Sequence, residues 1–441
     1  WQLFGNGATP QSTGIKGDHF IGDYYVRFEN ILKEETAVLT DTVLSGDLDS
    51  IAEKDQQRIV ELKELINAIV GDNDRDREKL KKLQDDFKEL IRANTPVMKK
   101  AQQMLVDWEN GVPEVMELWR KMNGWVYEGF DATYKRIGSD FEKIYYESET
   151  YLLGKKYVDE GLSKGVFYRK DDGSVWIDLT DEGLDEKLLL RKDGTSVYIT
   201  QDLGLADEKY KDFQYDQSLY VIADEQNYHM KVLQLILKKL GKPYADGIYH
   251  LSYGMVELPS GRMKSREGTV VDADDLVEEM VSISAKHTQE LGKVQGFSED
   301  ELKELYDILG LGALKFYLLR VDPKKRMIFN PEESIDFHGF TGPFVQYTHA
   351  RIRSILRKET PSGTLLPSST SPLLKLEKQL LLLLEQYQNV VRQAAFEYNP
   401  SVIATYIFNV AKTYNSFYTE HSVLNAETDE KKLLRLRICQ L

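Results

Sequence analysis

Apolar residues recur at two different intervals along this chain, and the change of interval divides it. In REKLKKLQDDFKELI, residues 77–91, Leu80, Leu83, Phe87, Leu90 and Ile91 fall on one face at helical spacing. A second amphipathic stretch, GVPEVMELWRKMNGWVYEGFDATYKRI, follows at 111–137, and together they predict that residues 34–150 are helical. The charges from Asp72 to Asp76 mark a turn between two helices, and Pro96 marks another break. The Trp and Tyr stripes of this region read as helical core.

From about residue 165 the pattern shortens. GSVWIDL, TSVYITQD, QSLYVIAD and GIYHLSYG are rich in β-branched and aromatic residues and bounded by Gly or Asp, which predicts strands. Between the last two lies HMKVLQLILKKLG, with Met230, Leu233, Ile236, Leu237 and Leu240 on one helical face and Gly241 as its stop. Strand, helix, strand in so short a span is a βαβ unit in a mostly parallel sheet. Such sheets bind ligands beyond the carboxyl ends of their strands. Helical spacing returns near 300 in SEDELKELYDILGLGALKFYLLR, opened by a capping box of Ser298 and Glu301. After TGPFVQYTHARIRSILRK comes a Pro/Ser/Thr-rich connection, 360–372, then two helical patterns divided by Pro400. A domain boundary is expected near 340, with a helical bundle after it.

Composition narrows the class. With 41% hydrophobic and 29% charged residues, the 441-residue chain has the balance of an ordinary globular protein of two or three domains. A single cysteine, Cys439, excludes an internal disulfide framework and a cysteine-rich zinc site, so a reducing, cytoplasmic setting is expected. No apolar run approaches the ~20 residues of a membrane span. The net charge of −15 argues against a nucleic-acid partner until its distribution is read. Residues 341–441 hold 12 Lys+Arg against 8 Asp+Glu, so this acidic chain ends in a mildly basic part compatible with a polyanion.

Three strand ends carry candidate chemistry. Alternation along TSVYITQD would put Tyr198, Thr200 and Asp202 on one strand face, where a carboxylate beside a phenol could receive a cation; a cap on the next turn is the alternative for Asp202. ADEQNYHM places Gln226 and His229 at a strand-to-helix junction. SYGMV then leads to a loop, where Gly254 would admit an adenine to the main chain of Met255 and Val256. In GRMKSREG, Gly261 and Gly268 bracket Arg262, Lys264, Ser265 and Arg266, which could wrap nucleotide phosphates or form a basic turn without a ligand.

The segments DGTSVYITQDLG, DEQNYH, YGMV, GRMKSREGTVV and TGPFVQYTHARIRSIL, with YES at 146–148 and ALKFYLLR, resemble class I arginyl-tRNA synthetases in order and spacing. The resemblance implies an α/β, Rossmann-type catalytic domain over 1–340, with a helical insert at 34–150, a βαβ half at 165–275 and a helical connecting region at 290–340. It implies an all-α helical-bundle anticodon-binding domain over 341–441. It implies that Tyr198, Asp202 and Gln226 bind arginine, and that His229, Gly254, Met255, Val256, Arg262 and Met263 line an ATP site. Lys264, Ser265 and Arg266 would be catalytic, in the place of the family's Lys-Met-Ser-Lys-Ser loop, although Ser265 stands where that pattern has its second lysine.

Chemistry follows from the same resemblance. Arginine carboxylate attacks the α-phosphorus of ATP, accompanied by Mg2+ with no protein metal site; pyrophosphate leaves, and the tRNA(Arg) 3′ ribose hydroxyl takes the arginyl group. Tyr347, Arg351, Tyr414 and Tyr418 would contact tRNA, and the protein is expected to be monomeric. None of the seven histidines begins a His-x-Gly-His pattern. The chain lacks an initiator methionine and stops inside a helical pattern. The expectation is therefore a fragment that starts after the family's His-Ile-Gly-His strand, is truncated at its C-terminus, and is inactive by itself. A non-catalytic RNA-binding relative is the alternative.

Overall fold

The computed structural model describes residues 1–441 except 70, 72, 151–152, 258, 260–271, 291, 293–295 and 362–371. Chain contacts divide the described residues into two units: Trp1–Asp140, and the part from Phe141 onward.

The first unit is helical: α1 (Gly17–Leu44), α2 (Glu53–Asn67), α3 (Asp74–Ala93), α4 (Pro96–Glu109) and α5 (Pro113–Ile137). Helical structure thus begins before residue 34. The α3 stripe does what its spacing predicts: Phe87 and Ile91 are buried with Leu39, Val43, Ile59 and Leu62, and Leu83 and Leu90 pack against them. Pro96 is the first residue of α4, where its missing N–H costs nothing. A forked ion pair between Arg92 and Glu29, at 3.1 and 2.8 Å, ties α3 to α1.

The second unit begins with α6 (Lys155–Ser163) and a three-stranded antiparallel sheet, β1 (Tyr168–Arg169), β2 (Val175–Ile177) and β3 (Lys187–Leu190). Residues expected as the strand TSVYITQD enter helix α7 (Tyr198–Phe213). Ile199, Leu203 and Ala206 recur at the helical interval and are buried, so packing overrides the β preference of Val-Tyr-Ile-Thr. The expected βαβ unit is present: β4 (Ser218–Ala223), α8 (Asn227–Lys239) and β5 (Ile248–Tyr253), with the strands parallel from Ser218↔Ile248 to Ala223↔Tyr253. Met230, Leu233, Ile236, Leu237 and Leu240 are buried as anticipated, and Gly241 takes a positive φ of 71° just beyond the helix. A short strand, β6 (Val256–Glu257), pairs in parallel with β7 (Met327–Ile328). One core joins β2, β3, α6, α7, α8 and β5.

Helices α9 (Ala273–Glu290) and α10 (Glu299–Leu319) follow β6, and the Ser298–Glu301 capping box forms. The C-terminal bundle comprises α11 (Gly342–Lys358), α12 (Lys375–Glu385), α13 (Tyr387–Glu397), α14 (Ser401–Glu420) and α15 (Asp429–Gln440). Its core includes Ile355, Leu380, Tyr414, Phe417 and Leu436. Within it, Glu377 and Arg435 are both 0% exposed. Glu377 accepts from Arg435 Nε at 2.9 Å and from Lys431 Nζ at 2.6 Å, clamping α12 to α15.

Burial works against ionised Glu377, but the Lys431, Leu374 N–H and Arg435 hydrogen bonds outweigh it and hold the carboxyl below its ordinary value. A depressed folded-state pKa contributes stability above the unfolded-state value, and this is lost as pH falls through the folded one. Replacing Glu377 by Ala removes the carboxylate that the buried Lys431 pairs with and one of the two that Arg435 pairs with, Glu427 being the other, and a loss of about 3 kcal/mol is expected. Urea melts at neutral pH measure that loss, and the gap between wild type and variant must narrow below ~pH 4.

Candidate active site

The carboxyl ends of β4 and β5 lie flush, because the register runs unbroken to Ala223↔Tyr253. A single 3-10 turn, Asp224–Gln226, leads from β4 into α8, and Gln226 is the exposed N-cap residue of that helix. His229 follows within the first turn. Its Nε2 lies 2.6 Å from Oδ2 of Asp202, which comes from α7. Helical geometry also places Tyr198 four residues before Asp202 on the same face. The Tyr198 ring is 76% exposed beside it. Tyr198 and Asp202 therefore share a face as expected, but for a helical reason. Thr200, expected beside them, is instead fully buried and donates to the Leu189 carbonyl.

The expectation of three strand ends on one sheet edge is corrected accordingly. Two parallel strands deliver Gln226 with His229, and Gly254; helix α7 supplies Tyr198 and Asp202. His229, expected at the ATP site, lies against the arginine-site candidate Asp202. Gly254 also has a packing reason to be glycine. A Cβ there would come within 2.4 Å of the Lys325 backbone, and its N–H donates to the Pro323 carbonyl at 2.7 Å. The Met255 carbonyl accepts from Met327 N–H at 3.1 Å, so that group already takes part in the β6–β7 pairing. Pleat alternation turns the Val256 main-chain groups away from β7. Arg262, Met263, Lys264, Ser265 and Arg266 lie outside the described residues.

Three further groups at this edge escaped the sequence reading. Lys209, seven residues after Asp202 on α7, stands 3.7 Å from the centre of the Tyr220 ring. Burial lowers its ammonium to about 8, against the Asp202 charge that raises it. Tyr220 is pushed up by burial, and its hydroxyl is enclosed. Asp224 has one oxygen 3.6 Å from Arg326 and the other enclosed without a hydrogen-bond partner. Asp224 was legible: it is the first polar residue after the β4 apolar run. Lys209 reads as an ordinary surface lysine until α7 is known to be a helix.

In the bundle, Arg351 lies 5.0 Å from the Tyr347 ring centre on α11 and 4.6 Å from that of Tyr418 on α14. Both rings are partly exposed, and they line an open polar groove of about 620 Å³ with Lys358, Thr419, Ser422 and Asn425. Tyr414 corrects an expectation. It is 3% exposed, and its hydroxyl lies 3.2 Å from the Cys439 sulfur, so it packs the core and is not presented to a base.

Residues 46–330 match the family described as tRNA synthetases class I (R), catalytic domain, and residues 345–441 match the DALR anticodon binding domain. The chain belongs to the class I arginyl-tRNA synthetase family. The arginine–tRNA ligase of Amoebophilus asiaticus is 48% identical over 445 residues, spanning 100% of this chain and 68% of that protein. That of Bacteroides thetaiotaomicron is 48% identical, spanning 99% and 67%. Among solved structures, Thermus thermophilus arginyl-tRNA synthetase aligns with a TM-score of 0.66 at 24% identity, covering 82% of this chain and 64% of that one. The Plasmodium falciparum enzyme aligns at 0.65 and 18%, covering 85% and 63%. At those identities the structural likeness speaks for the fold alone.

In this family member, the helical placement of Thr200 makes a prediction that a strand face would not. Thr200→Val leaves the Leu189 carbonyl without that donor and should cost about 1–3 kcal/mol in a denaturant melt. L-arginine affinity should stay within about twofold of wild type at temperatures where both are folded, because a buried Thr200 touches no ligand. A large affinity loss with unchanged stability would return it to the ligand face.

Proposed function

We propose that the crevice between the start of α7 and the carboxyl ends of β4 and β5 is where this arginine–tRNA ligase seats L-arginine for activation by ATP. One observation carries the reading: Asp202 and Tyr198 stand together on an exposed helix face, and the contact with His229 draws Asp202 toward the junction that also bears Gln226. Asp202 supplies a formal charge opposite to that of a guanidinium and an acceptor pair matched to its planar donors. Tyr198 stacks on the guanidinium or donates to the substrate, and Gln226 orients the amino-acid end. Asp224, enclosed and incompletely paired, is a further anionic group at the same edge.

ATP use follows from the class I catalytic domain. The adenine would lie along the Gly254–Val256 segment, reading Val256 main-chain groups, since the Met255 carbonyl is already committed. His229 then serves the arginine side of the crevice more than the ATP side. The cations Arg262, Lys264 and Arg266, with Ser265 and Met263, are assigned to the triphosphate, which brings its Mg2+ as part of the substrate. Their work would be positioning and charge stabilisation as pyrophosphate departs. The ribose hydroxyl of tRNA(Arg) then attacks the adenylate's carbonyl carbon, the bond from that carbon to the phosphate oxygen breaks, and AMP leaves with the hydroxyl proton passing to solvent.

For tRNA, the support is the DALR match and the Tyr347–Arg351–Tyr418 groove, which offers two partly exposed rings and a guanidinium to unpaired bases. We place the domain boundary near 340, between the two family matches. The ligase acts as a monomer in the cytoplasm in this reading. Among the described residues, no helix is long and apolar enough to cross a membrane. The two-domain match, catalytic and anticodon-binding, favours the ligase over a non-catalytic RNA-binding relative.

Two outcomes are expected. Asp202→Asn should weaken L-arginine binding by at least ~30-fold, about 2 kcal/mol, as measured by isothermal titration calorimetry. Unchanged affinity would remove Asp202 from the site. Tyr418→Ala should weaken tRNA(Arg) binding by about 1–3 kcal/mol, the value of one stacked base. Tyr414→Phe should leave it within about twofold, because a buried ring loses only its hydroxyl contact. Filter binding at fixed salt reads both, and a larger loss at Tyr414 than at Tyr418 would overturn the groove assignment.

A further inference from the structure

His229 and Asp202 come from different helices and meet at 2.6 Å. We propose that His229 is a positioning residue for arginine recognition: its neutral ring donates through Nε2 to Asp202, aims the carboxylate at the guanidinium, and loses that role when the ring is protonated. The proposal rests on the assignment of Asp202 to the guanidinium, and goes beyond it by giving the histidine a task and a required charge state.

Geometry and electrostatics both support it. Asp202 is partly exposed and sits in the second turn of α7, so without a partner its carboxylate could turn between solvent and crevice. A single N–H donor on Oδ2 stops that rotation. It leaves Oδ1 and the second lone pair of Oδ2 for the two parallel bonds of a guanidinium. The second nitrogen of the ring, Nδ1, decides the sign. While Nδ1 has no proton, the pair carries one net negative charge to meet one positive charge. Once it gains one, the pair is neutral and an imidazolium faces the incoming guanidinium.

The surrounding groups do not replace the lost attraction. On α7, Lys209 lies within the field of Asp202, and with its ammonium lowered to about 8 by burial it gains charge as pH falls. From β4, Tyr220 faces the same carboxylate and is pushed up by burial, so it stays protonated. Lys187 of β3 stands 4.5 Å from the ring centre of Tyr228, the neighbour of His229. In the turn before α8, the Asp224 carboxylate is offset by Arg326 at 3.6 Å, and Glu225 is exposed. His250 of β5 is turned to the Ile222 carbonyl at 2.9 Å. Lys209 is thus the lysine within the field of Asp202, and the pairing state of Asp202 with His229 sets the charge that arginine meets.

Linkage makes the idea testable in both directions: if protonation of His229 weakens arginine binding, arginine must make His229 easier to deprotonate. The experiment combines calorimetric L-arginine affinity with an NMR titration of the His229 ring, on the full chain, for wild type, H229Q and D202N. Wild-type affinity should fall by about fivefold or more from ~pH 8 to ~pH 6, the window in which histidine changes charge. H229Q keeps an N–H donor but has no imidazole to protonate; it should bind within about threefold of wild type at ~pH 8 and show a clearly shallower profile, keeping only what Lys209 contributes as its ammonium gains a proton near pH 8. The His229 midpoint should move down in saturating arginine, and down in D202N without ligand, since each weakens or competes with the attraction of the carboxylate for the imidazolium. A wild-type pH profile in H229Q, or a His229 midpoint unmoved by arginine, overturns the proposal. If D202N still loses arginine in that case, Asp202 stands and only the histidine's role falls. If D202N binds arginine as tightly as wild type, the site assignment itself fails and takes this proposal with it.

Discussion

Everything at the candidate site depends on the burial of one face of α7. Ile199, Leu203 and Ala206 sink into the core shared by the antiparallel sheet and α8, and the Thr200 hydroxyl fastens the same face to β3. Because 3.6 residues make a turn, burying that face presents Tyr198 and Asp202 on another. The joint presentation of Tyr198 and Asp202, on which the proposed arginine site rests, is therefore a by-product of a packing constraint on other residues. The same core anchors α8, whose first turn brings His229 to Asp202.

Where the pattern of apolar positions was unambiguous, it was sufficient. The βαβ unit, the α3 stripe, the Ser298 capping box and the Gly241 stop all follow from spacing and cap chemistry, and each forms. TSVYITQD was misread because five of its first six residues are β-branched or aromatic, and a short apolar run cannot reveal its period. The helical repeat becomes visible only when Leu203 and Ala206 are included. That error displaced Thr200, yet left Tyr198 and Asp202 together, since positions four apart share a face in a helix and also in a strand.

Side-chain pairing across elements was the less legible level. No spacing rule announces that His229 reaches Asp202, that Lys209 lies over Tyr220, or that the Met255 carbonyl is taken by β7. In the bundle, Tyr414 and Tyr418 are one turn apart, but the first is core and the second lines a groove. Sequence supplied both tyrosines; only the packing of α14 against α11 and α15 sorts them. The basic stretch at 262–266 lies outside the described residues, so its assignment stands on the family pattern.

Charge follows the same division of labour. The bundle can hold a fully buried Glu377–Arg435 pair because both carboxylate oxygens and all three guanidinium nitrogens have hydrogen-bond partners, which makes it a clamp. Asp202 is only partly satisfied and partly exposed, which leaves it able to accept a ligand. The central claim is that this carboxylate is the guanidinium's partner. A crystal structure with L-arginine bound tests it most directly. Guanidinium nitrogens about 2.7–2.9 Å from the Asp202 oxygens, with Tyr198 against the ligand, is the result expected. A guanidinium seated against a different acid, with the Asp202–His229 contact unaltered, would contradict the account.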